Sequence, residues 1–175
     1  MTDERVKDSE IEMNDTKDSR HKLSLRAVSD GEVLSIEEVP DEIFAQKMIG
    51  EGYAIKPTSQ LVVAPIDGKL IEVADAKHAY YIETKEGLKI LIHVGIDTLL
   101  LNGEGFKTKL KKDDQVKAGD ALVEFDEELI TKKGFNTIIS VIVLDDLAFE
   151  MTQVLNLTKQ AKAGETVAVE IDLQK

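Results

Sequence analysis

The chain contains no cysteine. That absence excludes a disulfide framework, a thiolate zinc site and a cysteine nucleophile. No run approaches the roughly 18–20 apolar residues that a membrane helix needs. The first residues are too polar for a secretory signal, so a cytoplasmic protein is expected. A cluster of basic residues is missing as well: 34 acidic side chains against 22 basic ones give a formal net charge of -12, spread along the chain. This argues against nucleic acid or an anionic membrane as the main partner, because phosphate backbones demand gathered Lys and Arg. Nor is there a Gly-x-Ser-x-Gly elbow, a His-Glu-x-x-His pair or a Rossmann glycine fingerprint. Gly103-Glu104-Gly105-Phe106-Lys107-Thr108 superficially resembles a phosphate loop. It lacks the four-residue gap before a Gly-Lys pair and reads as a turn between strands. Histidine is scarce enough to be located at once: His21, His78 and His93.

What is present is a polar leader followed by many short apolar runs. Residues 1–21 carry almost nothing to bury and are expected to form a flexible tail, with His21 exposed at its edge. Residues 22–175 then read as a single domain, the length being too short for two full cores. Turn signals recur every ten residues or so: Lys22 to Val28 runs into Ser29-Asp30-Gly31, and Leu61 to Ala64 into Pro65-Ile66-Asp67-Gly68. Leu88 to Val94 likewise runs into Gly95. That spacing predicts an all-β antiparallel sandwich or barrel. Short helical pieces are expected at Pro40 to Ile49, closed by Gly50, at Asp126 to Lys132 and at Asp145 to Met151. Repetition supports the β class. Ala27, Asp30, Gly31, Val33, Leu34 and Ile36 recur at one constant offset as Ala64, Asp67, Gly68, Leu70, Ile71 and Val73. Lys117-Ala118-Gly119-Asp120 recurs as Lys162-Ala163-Gly164-Glu165. A duplicated strand-turn-strand unit is the economical explanation.

The stretch from His78 to His93 carries the chemistry. Ala79 to Glu83 and Leu88 to Val94 read as two strands joined through Thr84-Lys85-Glu86-Gly87, with Gly87 left-handed. A four-residue loop sets Glu83 against Leu88 and His78 against His93, on one face with Cβ atoms about 4.5–5.5 Å apart. A three-residue loop with Gly87 in a bulge slips the pairing by one and puts the histidines on opposite faces. Two facing neutral imidazoles suit three tasks. They can bind a metal with a carboxylate such as Asp97, serve as bases in hydrolysis, or divide into a nucleophile and a group that holds what is transferred. The last needs one bare Nε2, which follows when Nδ1–H is tied to a carbonyl. Gly95 permits the close turn that brings one there.

Leu91-Ile92-His93-Val94-Gly95-Ile96-Asp97-Thr98, followed by Leu101-Asn102-Gly103-Glu104-Gly105-Phe106, closely resembles the active-site signature of glucose-class enzyme IIA of the sugar phosphotransferase system. The resemblance extends over roughly residues 25–173. It takes in Glu38-Val39-Pro40-Asp41, Phe44-Ala45, Gly50-Glu51-Gly52, Ala54-Ile55, Pro57, Val63-Ala64-Pro65, Lys77-His78-Ala79 and Val116-Lys117-Ala118-Gly119-Asp120. It implies a β-sandwich phosphotransferase in which His93 takes a phosphoryl group on Nε2 from the phosphohistidine of the carrier HPr. The group then passes to a cysteine of a sugar-specific IIB domain. On the same resemblance His78 stabilises the phosphoryl group, and Asp97, Phe44, Met48 and Ile49 border the docking surface. Neither metal nor cofactor is implied.

This chain departs from the family pattern in three places. Ala76 stands where the family commonly has threonine, Val94 where phenylalanine is frequent, and Leu100 where a polar residue is. Two other functions compete. One is a regulatory protein that controls transporters or kinases through its phosphorylation state and the same rim. The other is a zinc hydrolase, for which the histidines are too few. A biotinyl or lipoyl carrier would want a lysine beside methionine in an exposed hairpin, and none is there.

Overall fold

The computed structural model describes residues 20–174, so the expected tail, apart from its last two residues, lies outside the described residues. The described chain is mostly β, and all its strand pairings are antiparallel. Seven strands make the large sheet: β2 (Gly31–Ser35), β3 (Gly50–Pro57), β5 (Gly68–Val73), β6 (Ala79–Glu83), β7 (Lys89–Val94), β9 (Gln115–Val116) and β11 (Ile139–Leu144), in the order β2-β3-β11-β7-β6-β5-β9. A second sheet has β13 (Val167–Gln174) between β1 (Arg20–Arg26) and β12 (Glu150–Leu155). A third has β10 (Ala121–Phe125) between β4 (Leu61–Val63) and β8 (Phe106–Lys107). Strand β1 begins at Arg20 and pairs it with Gln174, two residues inside the span expected as tail.

Side-chain alternation divides the large sheet into two faces. Ile90, Ile92 and Val94 of β7 enter the main core with Tyr53, Ile55, Tyr80, Ile82, Ile139 and Val141. Each such burial stabilises the fold by about 1.5–3 kcal/mol. Leu91, from the opposite face of β7, joins a smaller cluster with Ile36, Val39, Phe44, Ala54, Ala79, Ile138 and Ile142. His93 has the parity of Leu91 and belongs to this second face.

The repeats are structurally equivalent. The Asp30 carboxylate accepts the Ala163 N–H at 2.9 Å, as the Asp67 carboxylate accepts the Ala118 N–H at 2.8 Å. Gly164 N–H donates to the Ala27 carbonyl at 2.8 Å, and Gly119 N–H to the Ala64 carbonyl at the same distance. Each copy of the Ala-Gly turn thus caps one copy of the Asp-Gly turn. The two Ala-Gly turns meet so closely that a methyl group on Gly164 would lie 3.0 Å from the Gly119 Cα.

Two of the three helical expectations need correcting. Helix α1 spans only Glu42–Ala45, capped by Asp41, with a single 3-10 turn at Ile36–Glu38 before it. It cannot continue to Ile49 because Lys47 turns left-handed at φ 58°. Gly50, expected to close a helix, instead opens β3. Residues 145–151 are not helical either. The Asp146 carboxylate accepts the Ala148 N–H at 2.8 Å, closing a tight turn before β12 begins at Glu150. Helix α2 (Glu127–Lys132) forms as expected, with the Asp126 side chain accepting the Leu129 N–H.

Candidate active site

The β6–β7 hairpin pairs Glu83 with Lys89 and Ala79 with His93. Thr84 N–H donates to the Leu88 carbonyl at 2.9 Å and Gly87 N–H to that of Thr84. The loop is therefore Lys85-Glu86-Gly87, and the pairing is slipped by one from the register that sets the histidines face to face. That register is overturned, yet the two rings are still neighbours, with centroids 4.9 Å apart and planes at 89°. The reason is local. His78 precedes β6, and Lys77 at φ 62° turns the chain just before it, so strand alternation does not govern the His78 side chain. Val94 N–H, donating to the His78 carbonyl at 2.7 Å, fastens the turn to β7.

His93 is half-buried, and its Nδ1 lies 2.9 Å from the Gly95 carbonyl. A carbonyl only accepts, so the ring proton is on Nδ1 and Nε2 keeps its lone pair. Gly95 can present that carbonyl because it is left-handed at φ 86°, with Thr98 Cγ2 and the Asn136 carbonyl where a side chain would go. Backbone bonds from Gly95 to Ile138 and from Ile96 to Asn136, each 2.9 Å, hold the segment in place. The Thr98 hydroxyl donates to the Val94 carbonyl.

Burial lowers the pKa of His93. The Gly95 carbonyl and the charges of Asp41 and Asp97 oppose that shift. His78 is held down to about 4, first by burial and then by the neighbouring His93. Its Nδ1 is buried without a protein partner, as is the hydroxyl of Ser140. An unpaired buried N–H is the costlier orphan, so the His78 proton belongs on Nε2. Ser140 is paired with His93 across β7 and β11 and is fully buried.

The surroundings are apolar. The Phe44 ring stands edge-on to His93 at 5.1 Å and is itself buried, so it is a wall of the site as well as part of its rim. Met48, 62% exposed, and the half-buried Ile49 follow it. Asp97, two residues after Gly95, is exposed, and the exposed Leu99 and Leu100 follow it. Ser140, Asp41 and the exposed Ile43 and Leu99 were not among the residues singled out from the sequence. Asp41 falls within the Glu38-Val39-Pro40-Asp41 motif but was given no role there, and no quoted motif contains Ser140, Ile43 or Leu99; the meeting of β11 and α1 with β7 is tertiary packing that no local pattern announces. Neither of the two larger grooves, of about 980 and 820 Å³, is lined by either histidine. The His93 ring itself is half-buried, so part of it stays open to an incoming group. Among the described residues no group of three or more His, Asp or Glu is placed to hold a metal ion, and no helix is long and apolar enough to cross a membrane.

Comparison with known proteins gives consistent results. Residues 23–149 match the family model described as phosphoenolpyruvate-dependent sugar phosphotransferase system, EIIA 1. The chain is 45% identical over 146 residues to the "PTS system glucose-specific EIIA component" of Halalkalibacterium halodurans, covering 82% of this chain and 83% of that one. It is 36% identical over 139 residues to the protein of the same name from Haemophilus influenzae, covering 79% and 82%. Among solved structures, glucose permease IIA from Mycoplasma capricolum superposes with a TM-score of 0.79 at 36% identity, covering 85% of this chain and 96% of that one.

Proposed function

Because the chain belongs to the EIIA 1 family of the phosphoenolpyruvate-dependent sugar phosphotransferase system, we propose that it is a cytoplasmic phosphocarrier for sugar uptake whose nucleophile is His93. The observation that carries this reading is the Gly95 carbonyl on Nδ1, which leaves Nε2 bare on a half-buried ring. Nε2 attacks the phosphorus of phospho-HPr. One N–P bond forms as the donor's breaks, and the freed electron pair returns to the donor ring. A cysteine of a IIB domain later attacks the same phosphorus, and the electron pair returns to Nε2.

Phosphoryl transfer has a loose transition state with charge spread over oxygens, so the protein's task is alignment and stabilisation of those oxygens. His78 supplies the donor. Neutral at physiological pH, it holds its proton on Nε2 beside His93, where it hydrogen-bonds a phosphoryl oxygen. Phe44, beside the ring, and the exposed or half-buried Met48, Ile49, Leu99 and Leu100 of the flanking segments would supply the docking face that excludes water from the phosphohistidine. Asp97 borders that face. Incubation with phosphoenolpyruvate, enzyme I and HPr should add one acid-labile, base-stable phosphoryl group, and His93→Ala should add none. Equal labelling of that variant would refute the assignment.

A further inference from the structure

Resting on the phosphocarrier reading, we propose that Lys47 is a positioning residue, whose ammonium clasps Glu37 and Glu51 and so holds the Phe44 wall in the place that shields His93. Residues 36–49 are an excursion between the neighbouring strands β2 and β3, which pair as far as Ser35 and Tyr53. The excursion buries Ile36, Val39 and Phe44 in the smaller cluster and sets the Phe44 ring 5.1 Å from the His93 ring. Glu37 stands at its entry, in the 3-10 turn, and Glu51 just past its exit, as the second residue of β3. Lys47 Nζ lies 3.2 Å from Glu37 Oε2 and 3.6 Å from Glu51 Oε2. One side chain therefore ties the entry of the excursion to the strand on which it returns.

The backbone gives an independent sign that this side chain has a role. Lys47 N–H donates to the Phe44 carbonyl and Met48 N–H to the Ile43 carbonyl, each at 3.0 Å, and Lys47 is left-handed at φ 58°. That pair of bonds is the helix ending in which glycine usually takes the left-handed position, because it has no Cβ to crowd. A lysine is disfavoured there. Such conformations persist where the surroundings enforce them, and here the surroundings are two carboxylates. A glycine would suit the backbone better, but it would have no ammonium to offer them.

What the clasp holds matters to the phosphohistidine. The two bonds that end α1 run to the carbonyls of Phe44, the wall of the site, and Ile43, which like Met48 is exposed and apolar. If the end of α1 drifts, the edge of Phe44 leaves His93 and water gains access. Water then attacks the phosphorus, the N–P bond breaks with its electron pair returning to Nε2, and inorganic phosphate leaves. Lys47 would thus act on the lifetime of the intermediate through Phe44, without touching the phosphoryl group.

Substitutions of Lys47 in the full-length protein separate the clasp from the backbone. Lys47→Gly relieves the left-handed position while deleting the ammonium, so it should melt at or above the parental temperature. Its phosphohistidine should nevertheless hydrolyse about two- to fivefold faster, a modest factor because exposed ion pairs are weak. The KM for phospho-HPr should rise with kcat nearly unchanged. Lys47→Met should match that loss while melting below Lys47→Gly, and Lys47→Arg should restore the parental lifetime. Added salt should shorten the lifetime in the parent and leave that of Lys47→Gly unchanged. A parental lifetime in Lys47→Gly overturns the proposal. So does a Glu37→Gln, Glu51→Gln double variant that behaves as the parent while Lys47→Gly does not, which would make Lys47 a direct contact of the partner. A parent that takes no phosphoryl group removes both this proposal and the phosphocarrier reading, whereas a labelled parent with indifferent variants removes this one alone.

Discussion

Where the duplicated turns meet, polar side chains, from the exposed Asp30 and Asp67 to the buried Tyr53 and Ser29, have protein partners. Asp30 and Asp67 each accept a backbone N–H, the Tyr53 hydroxyl donates to Arg26 and accepts from Val28, and Ser29 donates to Leu61. Around His93 the pattern reverses: His78 Nδ1 and Ser140 Oγ are buried with no protein partner. Buried polar atoms are nearly always paired in folded proteins, so an orphan asks for a reason. The turns serve the scaffold and are fully bonded within it. The histidine face carries a cost in unpaired groups, as expected of a face whose geometry answers to the proposed transfer rather than to stability.

The sharpest way to break this contrast is to change one left-handed glycine in each region. Gly95→Ala strains a φ of 86° and drives a methyl group to within 2.5 Å of Thr98 Cγ2 and 2.9 Å of the Asn136 carbonyl. The carbonyl that fixes the His93 tautomer must then move, and labelling should slow by at least about a hundredfold. Gly119→Ala, at φ 95° with nothing within 4 Å of the new methyl group, should cost about 1–2 kcal/mol of stability and leave labelling unchanged. Equal labelling rates in the two variants would erase the distinction.

Next in size is His78. A hydrogen bond to a charged oxygen contributes about 1.5–3 kcal/mol, so His78→Ala should slow transfer by about ten- to a hundredfold with circular dichroism unchanged. His78→Gln keeps a donor and should lose less. Because burial holds His78 down to about 4, the unfolded chain takes up a proton there that the folded chain refuses. Stability is whole above about pH 6.5, where neither state protonates, and declines as the pH falls toward 4. His78→Gln should flatten that decline in thermal melts recorded across the window. A parental slope in the variant would place the titration elsewhere.

Asp30→Ala and Asp67→Ala sharpen the comparison from the scaffold side. Each removes an equivalent cap, and each should lower the melting temperature by about 2–4 °C, corresponding to about 1 kcal/mol, with transfer intact. A strongly unequal pair would show that the two repeats do not share the load. The smallest effect is expected from Ser140→Ala. Deleting a buried hydroxyl that has no partner should leave the melting point unchanged or slightly raised. A fall of several degrees would mean that the hydroxyl is bonded in solution.

The β class and the duplication were legible in the sequence because turn chemistry is local: Asp30-Gly31 and Asp67-Gly68 mark their turns without reference to the rest of the chain. The histidine pair was legible only in its outcome. The facing register brings the rings together by strand alternation, whereas the structure does so by the left-handed turn at Lys77, which a lysine does not advertise. Lys47 misled in the same way, ending α1 where the apolar spacing of Phe44 and Met48 suggested continuation. Ser140 was illegible as a site residue, because its place opposite His93 depends on the pairing of β11 with β7, whereas Asp41 lay inside a quoted motif without a role attached to it.

The central claim is that Gly95 fixes the proton on Nδ1 of His93 and leaves Nε2 to react. Nitrogen-15 imidazole spectra, recorded before and after phosphorylation with enzyme I, HPr and phosphoenolpyruvate, test it directly. The account predicts that His93 alone is in the Nδ1–H form beforehand and that nitrogen–phosphorus coupling then appears at its Nε2. Coupling at Nδ1 of His93, or at either nitrogen of His78, would contradict it.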